Sequence, residues 1–197
     1  MTNPRARFEA IAAETAPHLD GDPIHDVHHS WRVCRNGTRI AGAEGADVEV
    51  VGAAAIVHDL HRVWSLGDAF VHPRKTLPVV ESILSAAGFP EEKVAAVCHC
   101  VGVHEEYAFE DEPDAAETIE AEVLQDADNL DALGAVGLAR AFAFSGAHGN
   151  PLWWPDRDDA PVGPYRKLGR GDDASTMRHV REKLLRLRET TNTETGR

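Results

Sequence analysis

One apolar run of the chain ends in two polar residues, Ala53-Ala54-Ala55-Ile56-Val57-His58-Asp59. Asp47 precedes this run and can cap a helix there, so we expect a helix that starts after Asp47 and leads to His58. Adjacent helical residues point about 100° apart, so His58 and Asp59 can share one cation only if it lies in the seam between them. Other helices must then supply the remaining ligands.

The remainder of the chain also has a helical pattern. Apolar residues recur at spacings of three and four, and alternating β-branched stretches are nearly absent. We expect helices over about 4–15, 26–43, 76–87, 90–104 and 176–188, and one long central helix over about 117–144. The sequence predicts an all-α, single-domain helical bundle over 1–197, with a core at about 22–145 and a closing helix at about 176–188.

The segment 145–173 is rich in glycine and proline and contains Trp153, Trp154 and Tyr165. Loops of this length are uncommon in compact domains unless they serve a function. Two interpretations remain open: a lid over a site, or an ordered wrap that buries its tryptophans.

Charge restricts the partners of the chain. It has 20 Lys and Arg against 33 Asp and Glu, which gives a formal net charge of −13. Such a chain does not favour duplex nucleic acid or an anionic membrane surface. We find no apolar stretch of the roughly 20 residues that a membrane span needs, no signal-peptide core, and too few cysteines for a disulfide framework. We expect a cytoplasmic protein, and the oligomeric state stays open.

Two residues on other helices complete a candidate ligand set. His29 lies on the helix before His58-Asp59, and Asp128 lies on the long helix after it. Three helices therefore offer ligands in the order His, His-Asp, Asp, which is more specific than an isolated His-Asp pair.

The segments around these residues resemble a known family. The segment HDVHHSWRV at 25–33 and the segment ADNLDAL at 127–133 are similar to the first and last ligand segments of the HD-domain superfamily of metal-dependent phosphohydrolases. Stretches at 122–140, 146–149 and 192–195 resemble its small YedJ-like branch. The resemblance implies a helical bundle with a central site, and hydrolysis of phosphate esters or anhydrides, often in nucleotides.

The resemblance also implies the metal ligands, which are His29, His58, Asp59 and Asp128. Two neutral imidazoles and two carboxylates suit Mn²⁺, the cation we expect, and also Fe²⁺, Co²⁺, Ni²⁺ or Zn²⁺. Such a cation can activate a water molecule and polarise a phosphoryl oxygen. By the same resemblance, Asp59 both binds the metal and orients the water.

Three aspartates crowd the last ligand segment. Positions three apart share a helix face, so Asp128 and Asp131 can converge, whereas Asp126 is turned roughly 200° from Asp128. Ala127, Leu130, Leu133 and Val136 flank the face of Asp128 and press it toward the core. We expect Asp128 to bind metal, Asp131 to contact substrate or water, and Asp126 to lie beside the site or in solvent.

Several other histidines have open roles. His104 occupies the position where the branch often has a site histidine, and a core role is equally compatible with the pattern. His61 and His72 are candidates for a second metal. His25 and His28 are candidates for hydrogen bonds to the first ligand. Cys98-His99-Cys100 is expected to pack in the core, because residues two apart on a helix face opposite ways.

A phosphorylated substrate needs cationic partners. The candidates are Arg32, Arg62, Arg166, Lys167 and Arg170. Together with the resemblance, these residues predict a metal-dependent phosphohydrolase that acts on a small phosphorylated compound, preferably a nucleotide. Two alternatives remain: a diiron oxygenase of the same scaffold, and a nucleotide sensor without turnover.

Overall fold

The structure is a computed structural model that describes residues 4–19, 24–64, 70–110, 113–159, 161–162 and 175–197. Within these ranges the regular elements are helices and none is a β-strand, so the all-α fold class is confirmed. The α-helices are α1 (Pro4–Thr15), α2 (Val27–Glu44), α3 (Val48–Val57), α4 (Leu60–Trp64), α5 (Leu77–Ala86), α6 (Glu91–Val103), α7 (Ile119–Asp131), α8 (Gly134–His148), α9 (Pro155–Asp158) and α10 (Thr176–Glu182). Short 3₁₀ helices cover Ala16–His18, Pro73–Thr76 and Leu184–Thr190.

Helix α3 lies at the centre of the described bundle. Every residue from Val50 to Val57 is buried, and the helix packs against α1, α2, α6 and α7. Its sequence is apolar on all sides, which leaves no face that favours solvent. The buried end of α3 therefore delivers His58 and Asp59 into the interior.

Side-chain caps define where the ligand-bearing helices begin. Asp26 accepts a hydrogen bond from the backbone N–H of His29, Asp47 accepts from Glu49 and Val50, and Thr118 accepts from Ala121. Each cap satisfies N–H groups that have no partner within the helix. The expected role of Asp47 is confirmed.

The three helices that carry the candidate ligands meet at Gly37 on α2. A Cβ atom built there would lie 2.9 Å from Val51 Cγ1 on α3 and 3.4 Å from Ala127 Cβ on α7. Contacts this short leave no room for a side chain, so glycine permits the close approach of the three helices.

The prediction of one long helix over 117–144 is wrong. Leu133 is extended and Gly134 has φ +63°, and α7 and α8 meet at a bend of 74°. Leu130 and Val136 are 37% and 50% exposed, so they do not flank a core face as expected. The buried face of α7 is formed by Val123, Leu124 and Ala127.

The bend also brings Arg140 of α8 back to Asp131 of α7. In a straight helix residues nine apart are separated by about 13 Å along the axis. Here Arg140 Nη1 donates to Asp131 Oδ2 at 2.9 Å. The break in the helix thus creates an ion pair that a continuous helix could not form.

The segment 145–173 differs from a simple loop. Its first residues, 145–148, complete α8, and Pro155–Asp158 forms α9. Trp153 and Trp154 are 53% and 38% exposed, so the alternative of a wrap over buried tryptophans is wrong. The expected lid action depends on residues 163–174, which lie outside the described residues.

The expected closing helix is shorter than predicted. Helix α10 ends at Glu182, and a 3₁₀ helix follows from Leu184 to Thr190. Among the described residues no single helix has the length and apolar character for crossing a bilayer, and the bent pair of α7 and α8 meets both criteria only when taken together.

Candidate metal centre

Four side chains from two helices, α2 and α7, and from the turn after α3 converge at the end of α3. His29 Nε2 lies 3.2 Å from His58 Nε2, 3.1 Å from Asp59 Oδ2 and 3.4 Å from Asp128 Oδ1. His58 Nε2 lies 3.3 Å from Asp59 Oδ2 and 3.7 Å from Asp128 Oδ1. The structure thus brings together all four residues of the candidate ligand set.

The position of His58-Asp59 at a helix end explains how both side chains reach one point. His58 follows the last residue of α3, and Asp59 lies in the turn before α4. Of the four side chains, Asp128 is the most accessible, with 18% of its side chain exposed against 4% or less for the others. Solvent therefore reaches the cluster from the side of Asp128.

Hydrogen bonds at the far ring atoms orient both imidazoles. His58 Nδ1 donates to the carbonyl of Ala55 at 2.8 Å, and His29 Nδ1 donates to Asp131 Oδ2 at 2.8 Å. In neutral rings both Nε2 atoms then carry lone pairs, and these face each other and two carboxylate oxygens. Four electron-rich atoms in a buried space require a cation, so the donor set fits a divalent metal ion.

Without a metal ion, protons neutralise the cluster. Burial lowers the pKa of His29, but hydrogen bonds to Asp128, Asp131 and Asp59 outweigh it and raise that pKa to about 9. Burial likewise opposes the charge on His58, yet Asp59 and Asp128 raise its pKa to about 10. The carboxyl pKa values of Asp59 and Asp128 lie well below the ordinary range, because the facing imidazolium charges outweigh the effect of burial. At neutral pH, protons on this pair of imidazoles therefore offset carboxylate charge in the metal-free cluster.

We expect the affinity for Mn²⁺ to rise with pH. A metal ion binds neutral imidazole, so below about pH 9 it must displace protons from His29 and His58. The expected gain is about tenfold per pH unit for each proton displaced. Calorimetric titration with Mn²⁺ at pH 6, 7 and 8, in buffers of different ionisation enthalpy, measures both the affinity and the protons released. An affinity that does not change over this range contradicts the assignment of the two imidazoles.

Asp131 supports the cluster from behind His29. Its two oxygens accept from Arg32 at 2.7 and 3.0 Å, and Oδ2 also accepts from Arg140. Burial raises the pKa of Asp131, but its bonds to His29 and Arg32 lower it to about 2. An ionised Asp131 holds His29 in one tautomer and one orientation. Among the described residues its contacts are therefore with His29 and the two arginines, on the side away from the four-residue cluster.

Asp59 also belongs to a second group of potential metal ligands. Asp59, His61 and His104 are buried and each offers an atom within 4.8 Å of the others. Asp59 Oδ1, which faces away from the first cluster, lies 3.8 Å from His104 Nε2. His104 Nδ1 donates to the Val101 carbonyl at 2.7 Å, while His104 Nε2 is buried without a hydrogen-bond partner among the described residues. Burial lowers the pKa of His104 to about 4, so the ring is neutral near pH 7 and Nε2 is a proton acceptor.

Glu105, which was not predicted from the sequence, contacts this second group. One of its oxygens lies 2.9 Å from His61 Nε2, and the other is paired with Arg62. Arg62 Nε also lies 3.5 Å from Asp59 Oδ1. Glu105 and Arg62 thus already engage part of the polar surface that a second cation would use.

Two more cationic residues near the centre were also missed by sequence reasoning. Arg140 comes from α8, and Lys183 follows α10, where its charge interacts with Asp128 and Asp59. Burial and the nearby Arg62 lower the pKa of Lys183 to about 8. Neither residue lies near the ligands in sequence, so no local motif could have indicated them.

Several predicted residues lie elsewhere. Asp126 is buried, not in solvent, and bonds to the C-terminal segment at Asn192 and Thr193. His28 is exposed, and His25 contacts the His29 ring edge-on with centroids 6.1 Å apart. His72 caps the 3₁₀ helix at Pro73–Thr76 and lies 3.4 Å from Glu106.

The remaining predictions concern the cysteines and the basic loop. Cys100 is buried and Cys98 partly buried, and both are free thiols. They contribute to the hydrophobic core, as expected. The candidate substrate residues Arg166, Lys167 and Arg170 lie outside the described residues.

The chain is similar in sequence to a known protein family and to a known protein. The HD domain family matches residues 26–133. The YpgQ protein of Bacillus subtilis strain 168 is 37% identical over 176 residues, which is 88% of this chain and 74% of YpgQ.

Solved structures agree over nearly the full length. The crystal structure of Bacillus subtilis YpgQ in complex with ADP has a TM-score of 0.69 and 32% identity, and the match covers 98% of this chain and 85% of that one. A protein from Lactobacillus plantarum has a TM-score of 0.76 and 28% identity, covering 100% and 88% of the two chains. An HD-superfamily hydrolase from Bacillus thuringiensis has a TM-score of 0.66 and 25% identity, covering 98% and 87%.

Proposed function

The chain belongs to the HD domain family, and on that basis we propose that it is a metal-dependent phosphohydrolase. We propose that it cleaves a phosphoester or phosphoanhydride bond in a small substrate, preferably a nucleotide. One observation carries this proposal: the Nε2 atoms of His29 and His58 both lie within 3.7 Å of one oxygen of Asp59 and of one oxygen of Asp128, and the cluster is most accessible at Asp128. The ADP complex of the related YpgQ supports a nucleotide as the substrate class.

The four residues His29, His58, Asp59 and Asp128 would hold the cation, with Mn²⁺ expected first. When bound, a divalent cation supplies Lewis acidity, which lowers the pKa of a coordinated water and offsets charge on a phosphoryl oxygen. No nucleophilic side chain is needed for hydrolysis by activated water.

The protein's own residues have distinct roles in this reaction. Asp131, held by Arg32 and Arg140, keeps the His29 lone pair directed at the cluster. Asp59 contributes Oδ2 to the cluster and presents Oδ1 toward His104. The neutral His104 can accept a proton at Nε2 from a water molecule near Asp59.

Removal and restoration of metal tests the proposal directly. Protein stripped with a chelator is expected to release neither orthophosphate nor pyrophosphate from a panel of nucleotides, and added Mn²⁺ is expected to restore turnover. The variant Asp114→Ala, at an exposed position paired with Arg74, controls for general effects of losing a carboxylate. Full turnover in excess chelator by protein without bound metal contradicts the proposal, and saturable nucleotide binding without turnover points to a sensor.

A second candidate function rests on the Asp59, His61 and His104 group. If the four-residue cluster and this second group each held an iron ion, an HD-type protein would be an oxygenase, as the sequence alternative allows. Such a protein would show iron-dependent oxygen uptake with an organic substrate, and it would release no phosphate. The pairing of His61 with Glu105, and of Arg62 with Glu105, favours the hydrolase, because these contacts occupy the second group.

A further inference from the structure

Asp59 presents its two carboxylate oxygens to two different groups of potential ligands. Its Oδ2 atom lies 3.1 Å from His29 Nε2 in the four-residue cluster, and its Oδ1 atom lies 3.8 Å from His104 Nε2 in the second group. Two-metal sites hold their ions about 3.5–4 Å apart, and the two oxygens of one carboxylate can span that distance. Asp59 therefore has the position of a residue that bridges two cations.

The two imidazoles of the second group direct lone pairs toward carboxylates. Each Nδ1 atom donates to the backbone carbonyl three residues earlier, at 2.7 Å for His104 and 3.3 Å for His61. Neutral rings held in this way carry a lone pair on Nε2. His104 Nε2 has no hydrogen-bond partner among the described residues, and His61 Nε2 lies 2.9 Å from an oxygen of the buried Glu105. The second group thus has the buried nitrogen and oxygen atoms that a divalent cation binds.

The guanidinium of Arg62 brings a positive charge to this group. Arg62 donates from Nη2 to Glu105 Oε1, and its Nε atom lies 3.5 Å from Asp59 Oδ1. The side chains of Glu105 and Asp59 are only 3% and 4% exposed, and buried carboxylates are unfavourable without a cationic partner. Arg62 lies beside one oxygen of each, so it bridges the same two carboxylates that a second metal ion would bridge.

A second divalent cation would compete with Arg62. It would need Asp59 Oδ1 and Glu105 while the guanidinium stays in contact with both, and like charges at contact distance repel strongly in a buried site. A cation in the four-residue cluster would also already draw on the charge of Asp59. Arginine keeps its charge at all ordinary pH values, so a change of pH does not remove this competitor.

We propose that Arg62, held by Glu105, takes the place of a second metal ion, so that the centre binds one divalent cation per chain. Removal of the guanidinium then opens a second metal site, whose ligands are Asp59, His61, His104 and Glu105. This inference rests on the proposed function, because it assumes a first cation at the four-residue cluster. In this arrangement Arg62 is a positioning residue, which holds Asp59 at Oδ1 and leaves Oδ2 directed at the first cation.

The number of Mn²⁺ ions bound per chain tests this inference without reference to turnover. The variant Arg62→Met removes the guanidinium and keeps an unbranched side chain, and Arg62→Gln carries the comparison if the first variant loses its native circular dichroism. Titration calorimetry counts the bound ions, and electron paramagnetic resonance distinguishes an isolated Mn²⁺ ion from two neighbouring, spin-coupled ions. Arg74→Met is the matched control, because Arg74 pairs with Asp114 on the exposed surface.

We expect one Mn²⁺ ion per chain, with the spectrum of an isolated ion, for the unmodified protein and for Arg74→Met. Arg62→Met should gain one ion per chain and show the spin-coupled spectrum, because the two ions share the carboxylate of Asp59. The double variant Arg62→Met/His104→Ala should return to one ion, since it lacks a ligand of the second group and keeps the four-residue cluster intact.

Three results overturn the inference: two Mn²⁺ ions in the unmodified protein, no gain of an ion in the folded Arg62 variant, or a gain that persists in the double variant. Failure of the proposed function is a separate result, in which the unmodified protein binds no Mn²⁺ or hydrolyses no phosphate compound. The two failures are distinguishable, because the gain of an ion on loss of Arg62 is counted independently of turnover.

Discussion

Replacement of Asp128 by alanine is expected to empty the metal centre and to lower kcat/KM by roughly 10³-fold or more, since the cation supplies the Lewis acid. Asp128 Oδ1 lies 3.4 Å from His29 Nε2 and 3.7 Å from His58 Nε2, at the accessible side of the cluster. Loss of this carboxylate would remove one of the four proposed ligand atoms and also one of the two negative charges that would attract the cation. Metal content after dialysis, followed by turnover with saturating Mn²⁺, measures both effects.

We expect the same loss of metal and the same fall in kcat/KM for the variants His29→Ala, His58→Ala and Asp59→Ala. Asp114→Ala, which removes an exposed carboxylate, should retain both metal and turnover. If Asp128→Ala keeps its metal and activity, the site does not use the four residues that converge in this structure.

Replacement of Asp126 by alanine is expected to act on stability instead of metal binding. Asp126 Oδ1 accepts from the backbone N–H of Asn192 at 2.8 Å. Its Oδ2 accepts from the backbone N–H and the hydroxyl of Thr193 at 2.8 and 2.6 Å. Loss of a buried acceptor leaves these donors without a partner, so we expect the free energy of unfolding to fall by about 3 kcal/mol.

Urea unfolding of the metal-free protein measures this loss, and Mn²⁺ titration of the folded variant should give an affinity within about threefold of the unmodified protein. Glu194→Ala is the matched control, because Glu194 lies in the same C-terminal segment and is exposed. Loss of metal by Asp126→Ala with unchanged stability would require a different register of α7.

These two aspartates show what a short sequence segment can and cannot predict. The separation of Asp126 from Asp128 follows from helical geometry, and the structure indeed turns them toward different partners. The prediction that four apolar residues flank the Asp128 face is only partly correct, since two of them, Leu130 and Val136, are exposed. Helical periodicity extends a pattern across a break, and it gives no signal that Gly134 adopts a positive φ and bends the chain.

The sequence by itself determined the all-α class, most helix bounds and the order of the candidate ligands. These features are local: caps such as Asp26 and Asp47 start helices at their own positions, and an apolar run such as that of α3 has no solvent-favouring face. His29, His58, Asp59 and Asp128 could be named because each lies within a recognisable segment.

Only the tertiary structure decided which other residues surround the ligands. Glu105 contacts His61 and Arg62, and Arg140 contacts Asp131 across the bend. Lys183 lies beside the Tyr107 ring. Asp126 accepts hydrogen bonds from residues 66 and 67 positions later in the chain. The contact of Arg140 depends on the angle between α7 and α8, and the contacts of Lys183 and of residues 192–193 depend on the path of the chain after α10. The reason is that ion pairs and hydrogen bonds require separations of about 3 to 4 Å, and local sequence patterns do not specify how distant segments meet at that range.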